Sequence, residues 1–177
     1  MSDTNPAISA KAHCILISLG SNIDKELNTR RGLDALFKAF GKLVLSPIYE
    51  SESIGFSGDN FYNCVVLAYT DKSIAKVCEH LKAIEDDCGR TRQSAKFSPR
   101  TLDLDLLTYD SLVCNKPVSL PRDEITYNAF VLQPMADIVP EHMHPLTRQT
   151  YAYMWQMFDK SKQQLWPVTF TWSANVV

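Results

Sequence analysis

The sequence predicts an α+β fold in which two β-α-β halves share one sheet. Three features carry that expectation: apolar runs of strand length, two intervening stretches with apolar residues at helical steps, and glycine or proline at the joins. The run from His13 to Leu19 has strand length and closes at Gly20-Ser21-Asn22, a turn followed by a candidate helix cap. Leu33, Leu36, Phe37 and Phe40 then recur at helical spacing until Gly41. A second strand is predicted over Leu43 to Tyr49, a polar loop over Glu50 to Asn60, and a third strand over Phe61 to Tyr69. A second helix is predicted from Asp71 or Ser73, with Ile74, Val77, Cys78, Leu81 and Ile84 on its apolar face. An irregular basic stretch, Arg90 to Arg100, leads into a fourth strand over Thr101 to Tyr109. Two further helices are expected around Asn128 to Ala136 and Thr147 to Phe158. The tail with Trp166 and Trp172 could supply another strand. The order β-α-β-β-α-β is the ferredoxin-like, split βαβ arrangement, expected with helices on one face and long catalytic loops.

At 177 residues the chain suits one domain over 12–160, with a flexible arm at 1–11 and a C-terminal extension at 161–177. An apolar content of 45% suffices for a core. The formal charge of −2 gives no long-range pull towards nucleic acid or acidic membranes, so neither is expected as a partner. The five cysteines form no CxxC and read as reduced, buried thiols of a cytoplasmic monomer. No apolar stretch approaches a membrane span, and the first ten residues lack the features of a secretory signal. His13, His80, and the pair His142 and His144 in a proline-rich surface loop read as structural.

The strongest chemical signal is Arg100-Thr101-Leu102-Asp103-Leu104-Asp105-Leu106-Leu107. Strand alternation turns Leu102, Leu104 and Leu106 one way and Asp103 and Asp105 the other. Carboxylates at i and i+2 stand roughly 6–7 Å apart at the backbone, a span that can serve hard cations held with water and phosphate. Alone, the triplet fits a half-exposed strand with an acidic outer face equally well. The cations Arg90, Arg92, Lys96 and Arg100 run directly into it, and metal beside basic residues is what phosphoryl or pyrophosphoryl transfer requires. Neither a Walker A sequence nor protein-kinase motifs occur.

In chain order, Leu19-Gly20-Ser21-Asn22, Ser46-Pro47-Ile48-Tyr49-Glu50-Ser51, Phe61-Tyr62-Asn63, Ile84-Glu85, Gly89-Arg90-Thr91-Arg92, Phe97-Ser98-Pro99-Arg100-Thr101-Leu102-Asp103-Leu104-Asp105-Leu106 and Phe130-Val131-Leu132-Gln133-Pro134-Met135 complete the pattern. Over about residues 13 to 145 this resembles the hydroxymethyldihydropterin pyrophosphokinase family. The resemblance implies transfer of pyrophosphate from ATP to the hydroxymethyl of a reduced pterin, with AMP released. It implies that Asp103 and Asp105 bind two Mg²⁺, and that Arg90, Arg92 and Arg100 act in catalysis. Arg92, Lys96, Arg100, Leu106 and Arg122 would meet ATP. Ser51, Ile54, Phe61, Asn63, Asp103 and Phe130 would form the pterin pocket. Glu85 would accept near the phosphate loop or helix end, although an exposed helical Glu fits as well.

The chain departs from the family at several positions. Arg122 stands where His is usual and Asn128 where Arg is usual. Phe97 and Ser98 replace Trp and Gly, Glu52 replaces Pro, and Ser57-Gly58-Asp59-Asn60 replaces Gln-Pro. These departures motivate an alternative: a pterin- and nucleotide-binding relative with weak or no transfer. An RNA-binding module of the same fold is disfavoured, because the RNP1-type aromatic run is missing and the net charge is negative.

Overall fold

The structure, a computed structural model, describes residues 12–53, 58–89 and 101–174. The elements run β1 (His13–Ser21), α1 (Lys25–Phe40), β2 (Val44–Leu45), β3 (Tyr49–Ser51), β4 (Phe61–Thr70), α2 (Ile74–Asp87), β5 (Asp103–Tyr109), α3 (Glu124–Tyr127), α4 (Ala129–Ile138), α5 (Tyr151–Gln156) and β6 (Leu165–Pro167). Among the described residues the strands form one sheet in the order β5-β1-β4-β3-β6, with β2 also on β4. Each of these pairings is antiparallel. The predicted α+β class and element order are therefore observed.

Strand alternation divides the core. Ile15, Ile17 and Leu19 of β1, Cys64, Val66 and Ala68 of β4, and Leu104 and Leu106 of β5 meet Leu33 and Leu36 of α1 and Val77, Leu81 and Ile84 of α2. Leu16, Val65, Leu67 and Leu107 face the other way, onto Ile125, Val131, Leu132, Met135 and Tyr151. The expectation of helices on one face is thus corrected: α1 and α2 cover one face, and α3 to α5 cover the other. The central strands are apolar on both sides, and a sheet with two apolar faces needs two covers.

The predicted second strand is broken into β2 and β3 by Ser46 and Pro47. Ser46 explains the break, because its hydroxyl takes over a ladder position. Val65 N–H donates to Ser46 Oγ at 3.0 Å, while Ser46 N–H donates to Val65 O at 3.0 Å. Of the two predicted starts of α2, Asp71 and Ser73, the cap is Ser73, accepting from Lys76 N–H at 3.3 Å. β1 runs two residues beyond its predicted end, through Gly20 and Ser21. Gly32 lets α1 press on the sheet: a Cβ there would lie 2.9 Å from Leu102 Cδ1 and 3.0 Å from Leu19 Cδ1. Ser21 Oγ donates to Thr101 O at 2.5 Å, so the approach to β5 is tied from two sides.

His144, predicted at the surface, is buried at 2% exposure, and its Nδ1 accepts from Leu146 and Thr147 N–H at 3.1 Å each. That paired turn accounts for the burial, because it satisfies the one ring nitrogen that accepts. All five cysteines are free, but the expectation of buried thiols holds only for Cys64 and Cys88, with Cys14, Cys78 and Cys114 half-buried; burial pushes the Cys64 thiol up to about 12. No helix among the described residues is long and apolar enough to cross a membrane.

Candidate active site

Asp103 and Asp105 begin β5, the edge strand, and both are half-buried. Leu104 and Leu106 between and after them lie in the core against α1 and α2, so the two carboxylates share the opposite face, as predicted. The edge is held at this point by Glu85 of α2, which is buried at 3% exposure and accepts from Leu104 N–H at 3.1 Å. The alternative of an exposed helical Glu is thereby removed. An edge strand has outward amides without a ladder partner, and Glu85 supplies one between the two aspartates.

Register places the polar residues of the neighbouring strands beside this pair. Asn63 of β4 opposes Gly20 of β1, and Gly20 opposes Asp103 of β5, so the three form one row across the sheet. Two strand spacings of about 4.8 Å separate the outer members by roughly 10 Å. Gly20 has no side chain to fill the middle. A Cβ there would stand 3.3 Å from Asn63 Oδ1 and 3.9 Å from Phe61 Cδ1, so the row forms a shallow cradle. Asn63 Nδ2 donates to Ser51 Oγ at 2.8 Å, which fixes the amide with its oxygen towards Gly20. The strand before Asn63 is anchored too: Lys25 Nζ reaches Glu50 at 3.0 Å and Asn60 O at 3.3 Å, and Asn22 Nδ2 donates to Asp59 O at 3.2 Å.

Phe130 lies in the first turn of α4, half-buried against the second core cluster on the same face of the sheet. Arg122 reaches the carboxylates from the segment before α3. Its Nη2 donates to Asp105 Oδ1 at 3.2 Å, and its Nε stands 3.5 Å from Glu124 Oε1. Burial first, then the charge of Asp105, pushes the Glu124 carboxyl up to about 7. Among the described residues no group of three or more His, Cys, Asp or Glu forms a metal cage. A pair of half-exposed carboxylates instead fits a cation that keeps waters and takes its other ligands from phosphate.

Of the predicted site residues, the structure brings Ser51, Phe61, Asn63 and Asp103 to one cradle region, with Asp105 and Arg122 beside it. Leu106 is turned away: its side chain is buried at 3% exposure between sheet and helices, leaving only main-chain atoms for ligand contact. Arg90, Arg92, Lys96, Arg100 and Ile54 lie outside the described residues. Gly20 is read from the sequence only as part of a turn after the first strand, and Glu124 carries no role there. A lone glycine within a strand pattern signals close approach of another group, and Gly20 shows that signal. Nothing in the local sequence singles out Glu124.

Paired edge carboxylates, an arginine counter-charge and a polar cradle form a set of groups that suits group transfer between small polar molecules. The model of the 7,8-dihydro-6-hydroxymethylpterin-pyrophosphokinase family matches residues 16–140, and the chain belongs to that family. It is 30% identical to the 2-amino-4-hydroxy-6-hydroxymethyldihydropteridine pyrophosphokinase of Synechocystis sp., across 89% of this chain and 82% of that protein. The protein of the same name from Pseudomonas aeruginosa is 32% identical, across 72% of this chain and 81% of its own. The wild-type HPPK-DHPS structure of Plasmodium falciparum superposes with a TM-score of 0.65 at 14% identity, over 82% of this chain. At that identity the likeness is one of fold, and this chain spans 44% of that longer one.

Proposed function

We infer that this chain transfers pyrophosphate from ATP to the hydroxymethyl group of 6-hydroxymethyl-7,8-dihydropterin in folate synthesis, releasing AMP. The observation that carries the reading is the register of Asn63, Gly20 and Asp103, which sets a cradle of suitable width beside the carboxylate pair. A flat heterocycle with donors and acceptors at its edge is held by aromatic faces and a few fixed polar groups. Asn63 Oδ1 accepts from the ring edge, its orientation set by Ser51. Gly20 makes room for the ring plane, and Phe61 and Phe130 contribute apolar faces, with Ile54 assigned by resemblance.

Asp103 and Asp105 suit two Mg²⁺ by donor chemistry, since hard cations prefer carboxylate oxygen. Bound there, the ions would neutralise charge on the ATP phosphates. The protein's own part is alignment, because holding the hydroxyl in line with the β-phosphorus removes most of the entropic barrier. Arg122 lies where its guanidinium can pass from Asp105 to a phosphate oxygen, and Arg90, Arg92, Lys96 and Arg100 are assigned to ATP by resemblance. Main-chain atoms of Leu106 complete the nucleotide contacts in this reading. A cytoplasmic location, supported by the free thiols, and a monomeric state belong to the same reading.

The test is AMP release with ATP, Mg²⁺ and hydroxymethyldihydropterin. The expected outcome is turnover that Asp103→Ala and Asp105→Ala each abolish, with pterin affinity little changed in Asp105→Ala, whose side chain lies beside the cradle and not in it; normal turnover in either variant would remove the metal assignment. One observation favours the slower alternative, in which the chain binds both ligands but transfers weakly. Arg122 occupies Asp105, a proposed metal ligand. If so, pterin binds tightly without AMP above background, and Arg122→His raises turnover.

A further inference from the structure

The helix that carries Phe130 does not cap itself. Asn128 precedes α4 without a side-chain cap bond, although the first amides of a helix need acceptors. The missing partner comes from the tail. Ala129 N–H donates to Gln163 Oε1 at 2.8 Å, and Gln163 Nε2 donates to Tyr127 O at 2.8 Å. One amide therefore grips both sides of the turn immediately before Phe130.

Two residues further on, the tail becomes β6 and joins β3, the strand that carries Ser51. Leu165, Trp166 and Pro167 pair with Ser51, Glu50 and Tyr49 of β3. Val168 N–H extends the contact by donating to Ile48 O at 2.9 Å. The tail then crosses α1, where Arg30 lies 4.3 Å over the Phe170 ring and Trp172 Nε1 donates to Asp34 at 2.8 Å. A single segment thus bonds to the turn before Phe130 and pairs with the strand bearing Ser51.

We propose that Gln163 is a positioning residue for the pterin pocket, setting Phe130 by capping α4 from the C-terminal tail. The proposal rests on the assignment of the cradle to pterin. Gln163 touches no substrate; it acts by fixing where the first turn of α4 begins, and therefore where the ring of Phe130 stands. Its loss should weaken pterin binding and leave the nucleotide side unchanged.

The experiment uses the full chain and titrates 6-hydroxymethylpterin, a stable oxidised ring, by fluorescence in the presence of Mg²⁺ and a non-hydrolysable ATP analogue. The analogue is titrated separately. Gln163→Ala is expected to weaken pterin binding about fivefold, the factor a helix cap typically represents, with analogue affinity within about twofold of wild type. Gln163→Glu keeps the acceptor at the helix N-terminus but loses the donor to Tyr127 O, and should restore pterin binding in part. Equal loss of pterin and analogue, or no recovery in Gln163→Glu, overturns the proposal. Wild-type pterin affinity in Gln163→Ala, with binding lost in Phe130→Ala, also overturns it but leaves the pterin site standing. Undiminished pterin binding in Phe130→Ala overturns the site and the proposal together.

Discussion

A methyl group at position 20 would come within 3.3 Å of Asn63 Oδ1 and close the space between β4 and β5. Gly20 lies in the regular ladder of β1, so alanine there meets crowding and not backbone strain. Gly20→Ala should therefore keep its melting temperature within a few degrees and lose about tenfold in pterin affinity, as read by fluorescence titration. The carboxylate pair was legible from the sequence, because alternation in a strand is a local property. The partners of that pair were not. Arg122 reaches Asp105 across seventeen positions of chain, and Glu124 is shifted first by burial and then by the charge of Asp105, both of which arise only on folding.

Glu85 and Leu104 show how one element sets another. Removing the acceptor in Glu85→Ala would leave the Leu104 amide buried without that partner, a cost of about 1–3 kcal/mol in urea unfolding. Glu85→Gln retains an oxygen and should recover most of it. In the turn before α5, burial holds the pKa of His144 below the ordinary 6.5. The unfolded chain then binds more protons than the native one as pH falls below about 6.5, so stability is full above that pH and declines beneath it. Melting temperatures recorded between pH 7.5 and 5 should show this decline, and His144→Asn, which keeps an acceptor, should flatten it. The sequence predicts one strand over residues 43–49, because apolar residues flank Ser46 and Pro47 on both sides. The break depends on a serine hydroxyl replacing a main-chain group, which a hydrophobicity pattern does not register.

The whole sheet is a layer between two helical groups, and its middle strands explain why the face taken by the second group was not foreseen. Val65, Val66 and Leu67 run without alternation, a pattern that indicates burial on both faces but not which later segment supplies the second cover. Close contact between α1 and the sheet depends on Gly32. Gly32→Ala drives a methyl into Leu102 and Leu19 and should cost about 1–3 kcal/mol in chemical unfolding. Because Leu102 directly precedes Asp103, turnover should fall in that variant more than stability alone accounts for.

Two of the chain's three tryptophans, Trp166 and Trp172, ride on the C-terminal segment that crosses β3 and α1. The indole of Trp172 is bonded to Asp34 and lies edge-on to Phe37, so detachment of that segment would hydrate it while most helices and strands persisted. The protein therefore carries its own optical gauge: a red shift in emission that precedes the loss of far-ultraviolet ellipticity during heating would time the release of the clasp separately from global melting.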